Sequence, residues 1–482
     1  MFDLRPVGYV IGLLVALLGA TMLVPMALDL FDGSDHWPVF LESAIITILC
    51  GGLIALSCEN AMSKGLSIRQ TFLLTTGVWL ALPIFGALPF MLGATEARPV
   101  DAFFEAMSGL TTTGATVFSG LDVLPRGLLL WRSLMQWFGG IGIIVVAMVF
   151  LPELRVGGMQ IFKTESFDTF GKILPRAAEI AAKILWIYLG LTVFGVVGYM
   201  TLGMSGFDAI NHAFTSISTG GMSTKDQSFG AFKNGEEYFA CLMMLLASLP
   251  FVVFVQLLGF RFSSLFNNRQ IQGYIQVICV AAFSLTAFLV ISDSFPFERA
   301  IREALFNVIS IISGTGYASV DYQEWGPAAA MTFFLLGLVG GCAGSTSCSI
   351  KIFRYQILFS AIKAHIQLIH SPHSMFTPRY DGRPVTEDVM SSVMSLFVTF
   401  IVTLGLLSVA LGLTGLDFIT SVSGAAAALA NIGPGLGDII GPSGNYAPLN
   451  DTAKWLLSAA MLIGRLELLA VYAILMVSFW RA

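Results

Sequence analysis

Charge is scarce in this chain. Only 11% of its 482 residues are Asp, Glu, Lys or Arg, 56% are hydrophobic, and the mean hydropathy is +0.81. A soluble protein of this length needs a charged surface that this composition does not provide. The apolar runs are also too long for the short alternating strands of an outer-membrane barrel. The composition therefore predicts an all-α integral membrane protein.

Several kinds of site are missing as well. The six cysteines show no paired spacing, which favours small buried side chains over a disulfide or metal framework. The sequence contains no Walker loop and no strand-linked GxGxxG motif, so we expect it to bind no nucleotide itself. No nucleophile–base set stands out, which argues against an enzyme. No A-x-A site follows the first apolar segment, so we expect that segment to remain as a membrane span.

What the chain does contain is about ten apolar segments, each near the roughly 20 residues that cross a bilayer. Their predicted limits are 8–30, 39–58, 70–93, 128–151, 178–203, 237–260, 273–293, 327–360, 390–412 and 453–480. The eighth is too long for one simple span and is interrupted by "GLVGGCAGSTSCS", residues 337–349. Glycine and serine make this stretch a poor lipid-facing helix.

Between some spans lie half-apolar stretches that are too short to cross the bilayer. They are "DAFFEAMSGLTTTGAT" from Asp101, "DAINHAFTSISTGGMS" from Asp208, "REALFNVISIISGTGYAS" from Arg302 and "LDFITSVSGAAAALANIGPG" from Leu416. Each predicts a short re-entrant helix that ends in a glycine turn. Aligning the four stretches predicts that Gly114, Gly220, Gly316 and Gly433 superpose.

The recurrence predicts the organisation of the whole chain, because fixed-period self-similarity marks a repeat architecture. An N-terminal helix pair would occupy residues 1–60. Four repeats of span, pore helix and span would follow around a central pore, at residues 70–152, 178–260, 273–360 and 390–482.

A helix that stops halfway across a membrane leaves its last carbonyls without partners. Such a loop is tolerated only where it lines a path for water or ions. Carbonyl oxygens and the negative ends of helices suit a dehydrated cation. The four glycine loops therefore predict a cation selectivity filter.

Six motifs carry a resemblance to a known family. They are "TTTGAT" (111–116), "STGGMS" (218–223), "SGTGYAS" (313–319), "NIGPG" (431–435), "GGCAGSTS" (340–347) and "GRLE" (464–467). On these motifs the chain resembles the Trk/Ktr/HKT superfamily of potassium transporters, most of all the bacterial Trk-type potassium uptake membrane subunit. The additional N-terminal helix pair favours Trk over Ktr.

The resemblance implies a set of site residues. The implied potassium-binding residues of the filter are Thr112, Thr113, Gly114 and Ala115, Ser218, Thr219, Gly220 and Gly221, Gly314, Thr315, Gly316 and Tyr317, and Asn431, Ile432, Gly433 and Pro434. The implied gate below the filter consists of Gly340, Gly341, Cys342, Ala343, Gly344, Ser345, Thr346, Ser347 and Arg465. Pro434 lacks an N–H and fixes φ, so the fourth loop is expected to differ in geometry from the other three.

Arg465 has two interpretations. It lies near the middle of the last predicted span, where an unpaired cation is costly. Glu467 follows two residues later and does not share its helix face. Arg465 is either half of a buried pair with another helix or, as the resemblance implies, an electrostatic barrier in the pore.

Charge placement sets the orientation. With the N-terminus in the cytoplasm, most of the 25 lysines and arginines lie on the cytoplasmic side, as the positive-inside rule requires. The outer face is then acidic and would concentrate cations at the mouth, although solvated loops also account for this pattern.

The resemblance further implies potassium uptake across the bacterial inner membrane, with K⁺ as the transported ion and no organic cofactor. It implies a homodimer in membrane lipid, capped by a separate cytosolic Rossmann-type subunit that binds nucleotides, and no nucleic-acid partner. Contact with that subunit is expected near Lys163, Lys172, Arg379 and Arg383. The alternative is an ion-coupled secondary transporter of another cation or small solute, which also uses broken helices.

Overall fold

The computed structural model describes residues 3–59, 66–145, 173–232, 235–292, 295–371 and 377–481. Within these ranges the chain is helical apart from loops and two small two-stranded sheets. The predicted all-α class is therefore confirmed. Lys163 and Lys172, expected at a partner contact, lie outside the described residues, as does the end of the predicted span 128–151.

The first described helices form a hairpin. α1 (Arg5–Thr21) and α2 (Leu23–Phe31) together make one span, and α3 (Trp37–Cys58) returns. α1 and α3 cross closely: a Cβ added to Gly12 would lie 2.6 Å from Ala55 N, and one added to Gly51 would lie 2.5 Å from Ala16 N. Small residues at such a crossing let two helices pack backbone to backbone in lipid.

The remaining helices repeat one local order four times. The first repeat contains α4 (Ile68–Gly86), α5 (Leu88–Leu92), α6 (Pro99–Leu110) and α7 (Arg126–Val145). The second contains α8 (Ile173–Thr201), α9 (Gly206–Ile217), α10 (Glu236–Ser248), α11 (Phe251–Leu258) and α12 (Ser263–Phe266). The third contains α13 (Arg269–Ile291), α14 (Phe297–Ser313), α15 (Pro327–Gly337) and α16 (Ile352–His370). The fourth contains α17 (Glu387–Leu413), α18 (Phe418–Ala430), α19 (Asp451–Arg465), α20 (Leu469–Leu475) and α21 (Val477–Trp480).

The short helices α6, α9, α14 and α18 are the four re-entrant helices that the sequence predicts, and are called pore helices below. The numbered limits of the repeats stay predictions. Two small sheets complete the described structure. β1 (Val339–Gly340) pairs in parallel with β2 (Ile350–Lys351), and β3 (Arg379–Tyr380) pairs antiparallel with β4 (Arg383–Pro384).

We expected residues 237–260 and 453–480 each to form one continuous helix, but each segment is a bent pair of helices in the structure. α10 and α11 meet at 91°, and α19 and α20 meet at 112°. The first break falls at Pro250, whose ring and missing N–H cannot continue a helix. The second falls at Glu467 and Leu468, which have left-handed φ values of 57° and 22°.

With each bent pair taken as one span, up to eight described segments are long and apolar enough to cross a bilayer. The sequence estimate of about ten also included two segments that are not among these eight. One corresponds to α7, described as far as Val145, and the other to α15 and α16, which the loop after Gly337 separates.

The outer faces of the spans are apolar. Leu53 on α3 and Leu406 on α17 are more than 60% exposed, and further exposed leucines, isoleucines and valines continue along both helices. Such extended apolar surfaces are stable where lipid replaces water. The described surface is that of a multi-pass membrane protein.

We expect Gly51→Leu to destabilise the protein far more than Gly52→Leu. Both changes gain the same helix propensity in α3, but Gly51 faces the backbone of α1, whereas a Cβ on Gly52 has nothing within 4 Å. Overpacking costs about 1–3 kcal/mol. The melting temperature of the detergent-purified protein should fall by several degrees for Gly51→Leu, and equal values for both variants would contradict the close crossing.

Candidate functional site

Each pore helix ends in a loop that turns back through the same backbone hydrogen bond. A residue just beyond the helix donates its N–H to a carbonyl of the last turn over 2.8–3.0 Å. The four donors are Thr113, Gly220, Thr315 and Ile432. Because one bond defines all four, they are equivalent positions in the four loops.

Left-handed backbone lies on both sides of each donor. The residues with φ between 50° and 104° are Thr112 and Gly114, Thr219 and Gly221, Gly314 and Gly316, and Asn431 and Gly433. The second member is glycine in every loop, since glycine adopts positive φ without a steric penalty. A backbone that alternates in hand turns successive carbonyls toward one side, which is how rings of carbonyls are built in ion filters.

The second loop corrects the alignment made from the sequence. Gly220, expected to superpose on Gly114, has no left-handed φ and takes the position of Thr113. The left-handed glycine is Gly221, with φ 79°. The implied filter set 218–221 therefore starts one residue too early, and residues 219–222 are equivalent to residues 112–115. "STGGMS" holds two adjacent glycines, and nothing local decides which of them takes the unusual conformation.

The four loops pack head to tail as a closed ring. In each contact, a Cβ added to the left-handed glycine of one loop would overlap a carbonyl oxygen of the next loop. The contacts are Gly114 on Gly220, Gly221 on Thr315, Gly316 on Ile432, and Gly433 on Thr113. The first and third loops therefore lie opposite each other, as do the second and fourth. These four glycines meet both a conformational and a steric requirement.

The fourth loop keeps the backbone alternation despite Pro434. It differs from the other loops in its side-chain hydrogen bonds. The side-chain Nδ2 of Asn431 donates to Thr113 Oγ1 and to Met461 O, both at 2.9 Å. The hydroxyl of Tyr446 donates to Gly433 O at 2.7 Å. The fourth quarter is thus tied to the first loop and to α19 by side chains.

Polar side chains of three pore helices brace the segments that leave the ring. The contacts join Glu105 to Val117 N at 2.9 Å, His212 to Ser223 Oγ at 2.9 Å, and Asn307 to Ser319 Oγ at 2.8 Å. Glu105 also forms a buried ion pair with Arg132 at 2.7 Å. Sequence reasoning did not select these residues, although they stand at the same distance before Gly114, Gly221 and Gly316.

The loop between β1 and β2, called the gate loop below, covers the inner end of the ring, where Thr112 and Gly314 lie. It is held by the bend between α10 and α11: Cys342 N donates to Ser248 O at 3.1 Å, and Phe251 N donates to Gly344 O at 2.9 Å. Ala343 N donates to Gln270 Oε1 at 2.9 Å. Irregular backbone inside a membrane persists only with such partners.

Cys348 is the gate-loop residue that touches the ring. Its Sγ lies 3.7 Å from Thr112 Oγ1, and a Cβ added to Gly314 would lie 3.2 Å from its own Cβ. Thr112 and Gly314 belong to opposite loops, so Cys348 lies across the inner end of the ring. The implied gate ended at Ser347 and omitted this residue. The sequence offered no signal for it beyond its place directly after "GGCAGSTS".

Arg465 lies at the end of α19, with its guanidinium under the ring. It donates to Cys348 Sγ at 2.6 Å, to Gly139 O at 3.3 Å and to Thr346 O at 3.4 Å. Its Nε has no partner in the described part of the chain. Glu467 instead pairs with Arg354 at 2.5 Å. The guanidinium is therefore held by carbonyls and a thiol and lines a cavity together with Lys351 and Asn431.

Replacing Gly316 by alanine should destabilise the protein more than replacing Gly415. Both glycines have left-handed φ, 78° and 94°, so both variants incur the cost of about 1–2 kcal/mol for an L residue there. Only Gly316 also faces a carbonyl oxygen, whereas nothing lies within 4 Å of a Cβ on Gly415. Thermal unfolding of the purified variants measures the difference, and equal losses would contradict the closed ring.

Comparison with known proteins agrees with this architecture. The TrkH family, described as cation transport protein, matches residues 36–479. The Trk system potassium uptake protein TrkI of Halomonas elongata is 40% identical over 478 residues, covering 99% of this chain and 97% of that protein. TrkH of Escherichia coli K12 is 33% identical over 487 residues and 99% of both chains.

A solved structure is similar over its whole length. The crystal structure of the potassium transporter TrkH from Vibrio parahaemolyticus superposes with a TM-score of 0.92, at 30% identity and 100% coverage of both chains. Its similarity extends to the N-terminal hairpin and all four repeats. The chain therefore belongs to the TrkH family of cation transport proteins.

Proposed function

We propose that this chain takes up potassium ions across a bacterial inner membrane through the ring of four loops. The observation that carries the proposal is the closed packing of four glycines against four carbonyls at the ends of the pore helices. The names of its full-length relatives, Trk system potassium uptake proteins, support the same ion.

In this proposal the ion exchanges its water shell for backbone carbonyl oxygens. The coordinating carbonyls belong to residues 112–115, 219–222, 314–317 and 431–434, with the second segment placed as the hydrogen bonds require. The C-terminal ends of the four pore helices add negative potential on the same axis. The side chains differ among the four loops, so the four sides of the filter are unequal.

The gate loop, with Gly340–Ser347 and Cys348, closes the inner end of this path, and Arg465 adds a positive charge below it. The cost of bringing a cation next to a guanidinium is high where the surroundings exclude water. Opening then requires the gate loop to leave the ring and the guanidinium to follow it, since Arg465 and Cys348 are bonded to each other. The resting flux of potassium therefore depends on how often the gate loop leaves the ring.

We further propose a homodimer, each protomer with its own pore, capped by a cytosolic nucleotide-binding subunit. Arg379 and Arg383 support the docking place: both side chains are exposed on the small hairpin of β3 and β4. That hairpin is bonded to α16 through Ser360 and Arg379 at 3.1 and 3.2 Å. Because α16 directly follows the gate loop, a partner that displaces the hairpin would also displace the helix attached to the gate loop. Co-purification from native membranes tests this assembly.

Liposomes that contain the purified protein should take up rubidium or potassium ions down an imposed gradient, and sodium ions more slowly. The measurement is isotope flux, with protein-free liposomes as the control. Flux of an organic solute driven by a proton or sodium gradient, without potassium uptake, would overturn the proposal in favour of a coupled secondary transporter.

Cys348→Ala should raise the potassium flux about fivefold, because it removes from the closed state the hydrogen bond of about 1 kcal/mol between Cys348 Sγ and Thr112 Oγ1. Cys279→Ala, a cysteine exposed on the lipid-facing side of α13, is the matched control and should leave the flux unchanged. Arg465→Ala should raise the flux as well. Wild-type flux in both Cys348→Ala and Arg465→Ala, at normal protein yield, would contradict the gate.

A further inference from the structure

One of the four equivalent carbonyls in the ring is held by a side chain from outside its loop. Gln136 of α7 is fully buried, and its Nε2 donates to Gly220 O at 2.6 Å. Its Oε1 accepts from Met222 N at 3.1 Å. Among the residues that the structure describes, no donor reaches the corresponding carbonyls of Thr113, Thr315 and Ile432.

The second loop also differs in its own chemistry at this position. Thr113, Thr315 and Ile432 are β-branched, and β-branched side chains restrict both their own rotamers and the backbone that carries them. The equivalent residue of the second loop is Gly220, whose backbone is the most permissive of all residues. The second loop thus has the weakest intrinsic control over the direction of its carbonyl.

Gln136 and Gly220 are sterically complementary. A Cβ added to Gly220 would overlap the side-chain amide of Gln136, because Cδ, Oε1 and Nε2 all lie within contact of that position. The amide group therefore occupies the space that a side chain takes in the other loops. It hydrogen-bonds to both peptide groups that flank Gly221, at Gly220 O and at Met222 N, and so fixes this stretch of backbone.

We propose that Gln136 is a positioning residue that sets the preference of the filter for potassium over sodium. It supplies from α7 the constraint that β-branched side chains supply in the first, third and fourth loops. A smaller ion binds well only if the ring contracts around it, so a ring with one loose carbonyl accepts sodium more readily. This inference rests on the proposed filter and deepens it.

The test is Gln136→Met, which keeps length and volume but removes both hydrogen bonds. In reconstituted protein the ratio of potassium to sodium uptake should fall by about two- to tenfold, while potassium uptake itself persists. This range is the change in an equilibrium constant that corresponds to the net free energy of about one hydrogen bond. Ser133→Ala is the matched control on α7, because the Ser133 hydroxyl bonds to Leu129 O of its own helix. That variant should keep the wild-type ratio.

A double substitution separates positioning from mere stability. Gly220→Ala should lower the yield of folded protein strongly, because its methyl group meets the Gln136 amide. Combined with Gln136→Ala, the same change should be tolerated better, which makes the two effects non-additive. Additive losses would contradict the complementarity of the two residues.

Gly316→Ala, a change in the ring itself, distinguishes failure of this inference from failure of the filter. If Gly316→Ala alters the ion ratio and Gln136→Met does not, the role of Gln136 is overturned and the filter stands. If neither variant alters the ratio, the proposed filter fails and the inference fails with it. Equal loss of potassium and sodium uptake in Gln136→Met would reduce Gln136 to a structural role and overturn the inference.

Discussion

The contact between a left-handed glycine in one loop and a carbonyl oxygen of the next is the interaction on which the rest of the structure depends. The contact occurs four times, and the ring of loops closes only if all four pore helices end at the same depth and point at one axis. A single methyl group at any of the four glycines would open the ring. The spans on either side of each pore helix therefore serve chiefly to hold the helix ends at that distance.

A second constraint comes from the membrane, which offers no water to unpaired backbone groups. Three of the breaks in regular structure support one another: the bend between α10 and α11, the gate loop, and the bend between α19 and α20. The first bend exposes Ser248 O, which accepts from Cys342 N. The bend between α19 and α20 turns Glu467 toward Arg354, which lies just after the gate loop. The bend between α10 and α11 and the gate loop thus satisfy each other's backbone groups, and an ion pair joins the bend between α19 and α20 to the helix that follows the gate loop.

Because one chain supplies all four loops, the four quarters are free to differ. The first loop is braced by the Glu105–Arg132 ion pair, the second is held by Gln136, and the fourth is tied to Thr113 through Asn431. A ring of four identical subunits would repeat one brace four times. Here a single cysteine from the third repeat reaches two opposite loops, so one asymmetric element covers the inner end of the ring.

The sequence by itself determined the membrane class, the pore helices and the glycine loops, because these depend on local properties: run length, hydropathy and the small residues that follow each short helix. The re-entrant helices expected from Asp101, Asp208, Arg302 and Leu416 onward appear as α6, α9, α14 and α18. Local pattern also located the interruption of the eighth span, since glycine and serine disfavour a lipid-facing helix wherever they occur.

Only the tertiary structure decided between Gly220 and Gly221, revealed the bend between α19 and α20, and brought Cys348 and Gln136 to the ring. Whether a glycine takes left-handed φ depends on the carbonyl pressed against it, and that carbonyl belongs to a loop distant in the sequence. In the same way, Gln136 is one amide on an apolar helix until α7 packs against the second loop and places that amide on Gly220. The local pattern carries no information about such contacts, because their free energy arises only when the four loops meet.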